Sequence, residues 1–148
     1  MPLAICSQHN RFRPLTEEAF MHSSLQVLIM EDDPTIGMAL AHALKSRGAE
    51  VQTCTSLTCA LEVLQGHAFD VILADLRIHG PESVDGLVLL KMVRKVFPET
   101  HVIIMTAYGT EEVEAEVRHC GGIYWAKSRD LDELLVSVMS VPPKPQLM

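Results

Sequence analysis

The feature of this sequence that most constrains its fold is a regular alternation between short apolar runs and longer stretches with helical periodicity. Val27–Met30 is too short for a helix and is typical of a buried strand. Ile36, Leu40 and Leu44 then recur at helical spacing. Gly48 ends this pattern. The same unit repeats along the chain, and parallel strands need a crossover such as a helix to join them.

Four further strands follow from the same reading. They are Glu50–Cys54, Val71–Leu73 leading to Asp75, Val102–Met105 leading to Thr106, and Ile123–Ala126 leading to Lys127. A helical stripe follows each strand, and Asp130 with Glu133 predicts a capped start for the last helix. Five strand–helix units in strict alternation predict an α/β fold: a five-stranded parallel sheet, doubly wound as (βα)5.

The 148 residues fit a single domain, which we place at residues 25–141. Residues 1–24 show no periodicity and are interpreted as a poorly ordered N-terminal extension. Residues 142–148, which begin with two prolines, are interpreted as a short tail or linker. No output domain is expected in the residues after Val141.

Charge and composition exclude several classes of function. The formal net charge of −7 argues against direct nucleic-acid binding, which needs a clustered basic face. No apolar run approaches the ~18 residues of a membrane span. The few scattered cysteines fit reduced thiols in a cytoplasmic protein better than a disulfide framework. These cysteines are Cys6, Cys54, Cys59 and Cys120.

Polar residues follow four of the five predicted strands where each strand ends. They are Asp32 with Asp33, Asp75, Thr106 and Lys127. In open parallel α/β sheets, ligands bind outside the carboxyl ends of the strands. The convergence of four strand ends at one edge therefore predicts a functional site, although each residue alone has an ordinary structural explanation.

The residue types in this site indicate phosphoryl chemistry. Carboxylates about 4 Å apart repel by roughly 1 kcal/mol in water and about 4 kcal/mol at an effective dielectric of 20, so a cation is needed. A site of oxygen ligands suits Mg²⁺. Asp75 is the candidate nucleophile, with Lys127 and Thr106 facing phosphoryl oxygens. The structural alternative for Asp32 and Asp33 is an N-cap on the first helix, and Tyr124 alone would be a core residue.

The motifs MEDDP, VILADLR, VIIMTAYG and YWAK together resemble the receiver domains of two-component response regulators, over about Leu25 to Val141. The resemblance implies a flavodoxin-like receiver fold and a signalling switch that is not an enzyme. It implies that Asp75 is the phosphoacceptor. It also implies Mg²⁺ ligands and switch residues: Asp33, Asp75 and the backbone carbonyl of Arg77 on the metal, Asp32 acting partly through water, and Thr106 with Tyr124 as the switch.

The resemblance also implies partners. A histidine kinase or histidine phosphotransfer protein would donate the phosphoryl group. An output protein or a missing output domain would read the surface of the last two helices and last strand. That surface could also support a homodimer.

Two departures from the family pattern keep a second reading open. Ser128 replaces the proline that normally follows the lysine, and the loop after Asp75 is about three residues longer than usual. The alternative is a degenerate receiver, a protein-interaction module that works without phosphorylation. A phosphatase with an aspartyl-phosphate intermediate is disfavoured, because it needs a second Asp where this chain has Arg77.

Overall fold

The computed structural model describes residues 24–144, in which five strands alternate with five helices. The strands are β1 (Gln26–Met30), β2 (Glu50–Cys54), β3 (Val71–Asp75), β4 (His101–Thr106) and β5 (Ile123–Ala126). The helices are α1 (Pro34–Ser46), α2 (Leu57–Gly66), α3 (Asp85–Val96), α4 (Glu111–His119) and α5 (Leu131–Met139). The predicted N-terminal extension lies outside the described residues except for Ser24, and so does the tail after Lys144.

All strand pairs are parallel, and the sheet order is β2-β1-β3-β4-β5. The predicted doubly wound (βα)5 fold is therefore confirmed. The register between β1 and β3 pairs Met30 with Ala74. Glu31, which follows Met30, and Asp75, which follows Ala74, therefore lie side by side at the carboxyl edge of the sheet.

The two faces of the sheet carry separate apolar cores. Alternation along β1 directs Leu28 and Met30 to the face covered by α2, α3 and α4, and Val27 and Ile29 to the face covered by α1 and α5. Both sets are fully buried. Burial of each such side chain contributes ~1.5–3 kcal/mol, so the two cores hold the strand ends in place. Within residues 24–144, no helix combines the length and the apolar character that a membrane crossing requires.

The amino-terminal edge of the sheet is organised around the buried carboxylate of Asp70. This carboxylate accepts hydrogen bonds from the backbone N–H of Gln26 at 2.7 Å and from that of Lys144 at 2.9 Å. The Lys144 ammonium donates to the carbonyl of Phe69 at 3.3 Å and to the hydroxyl of Thr100 at 3.2 Å. The chain that leaves α5 is thus held against the edge opposite the polar strand ends.

Replacing Asp70 by alanine should lower the free energy of unfolding by about 1–3 kcal/mol, because the buried N–H of Gln26 loses its acceptor. Urea denaturation at pH 7 measures the loss. Asp132→Ala is the matched control. The Asp132 side chain is 80% exposed, and its ion pair with Arg47 spans 3.7 Å, so this substitution should change stability by less than about 0.5 kcal/mol. Equal effects for the two variants would contradict the role given to Asp70.

Candidate functional site

Three carboxylates meet at the carboxyl edge of the sheet. Glu31 directly follows β1 and is 2% exposed, and Asp75 ends β3 and is 7% exposed. Asp32 is half-buried beside them. One oxygen from each lies within 4.8 Å of the others. We call Glu31, Asp32 and Asp75 the acidic cluster.

Lys127 supplies the positive charge that this cluster needs. Its ammonium donates to Asp75 Oδ2 at 3.0 Å and to both oxygens of Glu31 at 3.3 Å. Burial alone would lower the pKa of Lys127, but the hydrogen bond and charge of Asp75, followed by those of Glu31, raise it above its usual value. Lys127 is therefore held as a cation between Asp75 and Glu31.

Glu31 holds a proton more tightly than an ordinary carboxylic acid. Burial, and then its hydrogen bond to Asp75 and the charge of that residue, raise its pKa to about 7. The ammonium of Lys127 opposes this shift without cancelling it. The acidic cluster thus places three carboxyl groups against the one ammonium of Lys127.

Asp33, predicted as a metal ligand, does not join the acidic cluster. Its side chain is exposed and accepts the backbone N–H of Thr35 at 2.9 Å and that of Ile36 at 3.5 Å, so it is the N-cap of α1. Pro34 at the first helical position fits this role, because its missing N–H would otherwise be unpaired. The structure thus assigns Asp33 to the capping alternative and brings Glu31 to Asp75 instead.

The second oxygen of Asp75 faces the start of the following loop. Asp75 Oδ1 accepts the backbone N–H of Arg77 at 3.2 Å. The Arg77 guanidinium donates to the carbonyls of Pro81 at 2.6 Å and Ser83 at 3.3 Å, which braces the loop. The contact between Arg77 and Asp75 is made by the amide, and coordination of a metal by the Arg77 carbonyl stays a prediction.

The longer loop after Asp75 bends back over the acidic cluster. His79 has a positive φ of 61°, which is uncommon for a residue with a side chain. In this conformation its backbone N–H donates to Asp32 Oδ2 at 2.8 Å. The loop therefore holds one member of the cluster in position, although its composition differs from the family pattern.

Gly86 allows α3 to begin directly against the end of β3. A Cβ at this position would lie 2.6 Å from the carbonyl oxygen of Asp75 and 2.7 Å from the Cα of Leu76, closer than real side chains approach backbone. Its N–H donates to the Leu76 carbonyl at 3.1 Å. The absence of a side chain at Gly86 thus lets the start of α3 pack against the backbone of Asp75 and Leu76.

Thr106 on β4 and Tyr124 on β5 lie close together. Thr106 ends β4 and is 1% exposed, and its hydroxyl accepts the N–H of Tyr108 at 3.3 Å. Tyr124 is half-buried, and its hydroxyl and the Thr106 methyl both lie against Gly109. The structure therefore brings together the two residues predicted as a switch pair, with Gly109 leaving room for the tyrosine hydroxyl.

Glu31 is the residue that the sequence reasoning missed, and a signal for it was present. If the last apolar residues of β1 and β3 are aligned, Met30 with Ala74, the next residues are Glu31 and Asp75. Alternation then directs both side chains to the same face of the sheet. Attention to register, instead of to the pair of aspartates, identifies the correct neighbour.

The family model of the response regulator receiver domain matches residues 27–138, and the chain belongs to this family. The predicted family is thereby confirmed.

Among curated relatives, the transcriptional regulatory protein ZraR of Escherichia coli K12 is 32% identical over 114 residues, which are 76% of this chain and 25% of ZraR. The regulatory protein AtoC of the same strain is 36% identical over 110 residues, 74% of this chain and 23% of AtoC. The chain spans about a quarter of the length of the curated relatives it matches.

A solved structure, the Francisella response regulator 1452 receiver domain, superimposes with a TM-score of 0.71 at 28% identity. The match covers 80% of this chain and 96% of that one. The receiver fold is thus shared over nearly the whole of the Francisella domain.

Glu31 should make the metal-free protein less stable as the pH rises. Its pKa is about 7 in the folded state against 4.5 ordinarily, so the folded state binds the proton more tightly. The stability that this proton contributes is fully present below pH 4.5 and is lost as the pH rises through about 7. Thermal unfolding in EDTA should therefore show a smaller loss between pH 5 and pH 7.5 for Glu31→Gln than for the wild type. Parallel curves for the two proteins would contradict this assignment.

Proposed function

We propose that this receiver domain is a signalling switch that accepts a phosphoryl group on Asp75. The observation that carries the proposal is a buried carboxylate with an ammonium at 3.0 Å and two further carboxylates within 4.8 Å, in a chain of the receiver family. A purely structural ion pair would not need the additional like charges, which cost free energy when buried. Their presence supports a site built for a cation and a transferable anion.

The acidic cluster fits Mg²⁺ as the cofactor. Glu31, Asp32 and Asp75 offer oxygen ligands only, in the small number that Mg²⁺ uses when it retains waters and shares a phosphate. Glu31, in place of the predicted Asp33, would hold the ion together with Asp32 and Asp75. When bound, Mg²⁺ would offset negative charge on the phosphoryl oxygens. Loss of the Glu31 proton would accompany metal binding near neutral pH.

In the proposed transfer, a carboxylate oxygen of Asp75 attacks the phosphorus of a phosphohistidine on the donor protein. The new P–O bond forms as the P–N bond breaks, and the bonding electron pair stays on the imidazole nitrogen. Lys127 faces the oxygens of the transferring group with its fixed charge. The Thr106 hydroxyl, whose oxygen accepts from Tyr108, has a proton to donate to the phosphoryl group.

The proposed output surface consists of α4, β5 and α5. Phosphorylation adds charge and strong acceptors next to Thr106, and movement of this residue would free space for Tyr124. Ile123, Leu131 and Val136 are 45%, 49% and 65% exposed on these elements, so apolar area is available for a partner. The proposed partners are a histidine kinase or phosphotransfer protein as donor, and an output protein, an output domain or a second copy of the chain as reader.

Incubation with Mg²⁺ and acetyl phosphate should add one phosphoryl group to the wild type and none to Asp75→Asn, which lacks the attacking carboxylate oxygen. Intact-protein mass spectrometry measures the addition. Asp33→Asn is the matched control and should be modified like the wild type, because Asn still caps α1.

Two outcomes of this experiment would contradict the proposal. Modification that persists in Asp75→Asn would move the acceptor elsewhere. A wild type that neither takes up phosphoryl nor binds a beryllofluoride mimic would favour the degenerate receiver, for which Ser128 leaves room.

Mg²⁺ affinity separates the two possible acidic pairs. Asp32→Asn should weaken binding by more than about tenfold, because even residues that only support a metal ligand are worth 10–100-fold. Asp33→Asn should leave the dissociation constant within about twofold of the wild type. Isothermal titration at pH 8 measures both, and the reverse order would restore Asp33 as the ligand.

A further inference from the structure

Two cysteine thiols that the proposed function does not use lie in contact at the carboxyl end of β2. Cys54 is the last residue of β2, and Cys59 lies in the first turn of α2. Their sulfur atoms are 2.7 Å apart. Nothing in the receiver chemistry requires two thiols here, and single cysteines would satisfy packing equally well.

The local backbone holds the pair in place. Ser56 is the N-cap of α2, and its hydroxyl accepts the backbone N–H of Cys59 at 3.1 Å. Cys54 is fixed by the parallel pairing of β2 with β1, where it lies opposite Met30. A disulfide bond is about 2.05 Å long. The two sulfurs therefore need only a small approach, with the strand and the helix start as fixed supports.

The two thiols differ in access. Cys59 is half-buried, whereas Cys54 is 3% exposed. An oxidant from solvent therefore reaches Cys59 first, and the Cys54 sulfur lies behind it in contact with the Cys59 sulfur.

We propose that Cys54 and Cys59 form a reversible intramolecular disulfide when the protein meets a hydroperoxide. The Cys59 sulfur attacks the peroxide, the O–O bond breaks, and Cys59 becomes a sulfenic acid while an alcohol or water leaves. The Cys54 sulfur then attacks the Cys59 sulfur, and the Cys54 proton leaves with the hydroxyl group as water. In total two thiols lose two electrons and two protons, and one hydroperoxide is reduced.

The disulfide would form next to the acidic cluster. The carbonyl oxygen of Cys54 accepts the backbone N–H of Glu31 at 2.9 Å. Closing the S–S bond would therefore join the end of β2 to α2 one hydrogen bond away from Glu31. The proposal does not depend on phosphorylation of Asp75, because it rests only on the two sulfurs and their surroundings.

Peptide mapping tests the disulfide directly in the full chain. Trypsin releases Gly48–Arg77 as one peptide that carries both cysteines, since no Lys or Arg lies between these ends. After treatment with hydrogen peroxide and alkylation, this peptide should be lighter than the reduced peptide by two hydrogens and carry no alkyl group. A second cut at Leu57, between the cysteines, should leave the fragments joined until dithiothreitol separates them.

Two serine variants provide the controls. Cys120→Ser should form the linked peptide as the wild type does, because Cys120 lies on another element. Cys59→Ser should not form it. Recovery of Cys54 and Cys59 both alkylated after oxidation would overturn the proposal, and so would Cys59 carrying added oxygens without a link. Dependence of the link on Cys120 would also overturn it.

Discussion

The arrangement of the carboxyl edge depends on one ammonium group placed between two buried carboxylates. Lys127 follows β5, yet its charge is shared by Glu31 after β1 and Asp75 at the end of β3. Removing one partner from a buried ion pair typically costs about 3–5 kcal/mol, because the remaining charge is left uncompensated. The three strand ends are therefore coupled electrostatically as well as by the backbone ladders. Burial is the main cause of the raised pKa of Glu31, and the hydrogen bond and charge of Asp75 add to it against the opposing charge of Lys127.

Much of the fold follows from patterns that are local in sequence. The five predicted strands and the helical stripes between them were enough to predict the parallel sheet, because crossover geometry permits few alternatives. The assembly of Asp75, Thr106 and Lys127 at one edge followed in turn, since each ends or follows a strand. The prediction for Asp33 has a different origin: proximity along the chain to Asp32 was taken for proximity in space, and a metal-binding role for Asp33 stays a prediction. The sheet register, which decides between Glu31 and Asp33, is a relation between two distant strands.

Other features of the site lie beyond sequence patterns altogether. The left-handed backbone of His79 and its bond to Asp32 arise in a loop where no periodic signal exists. The contact between Cys54 and Cys59 depends on the angle at which α2 leaves β2. The anchoring of Lys144 to Asp70 joins positions 74 residues apart. Each of these features depends on a side-chain contact that forms only when the chain is folded.

The position of Lys144 has a consequence for how a chemical event at Asp75 could be felt elsewhere. β3 runs its full length between Asp70 and Asp75, five residues at about 3.3 Å each, so the two poles of the sheet are separated by about 16 Å. A polypeptide attached after Lys144 would leave from the pole remote from the chemistry. Under the proposed function, a change at Asp75 would have to cross this distance, through the sheet or the helices packed on it, to reach such a polypeptide. If Asp75 accepts a phosphoryl group as proposed, the modified residue and the point where an attached chain would leave lie at opposite ends of β3.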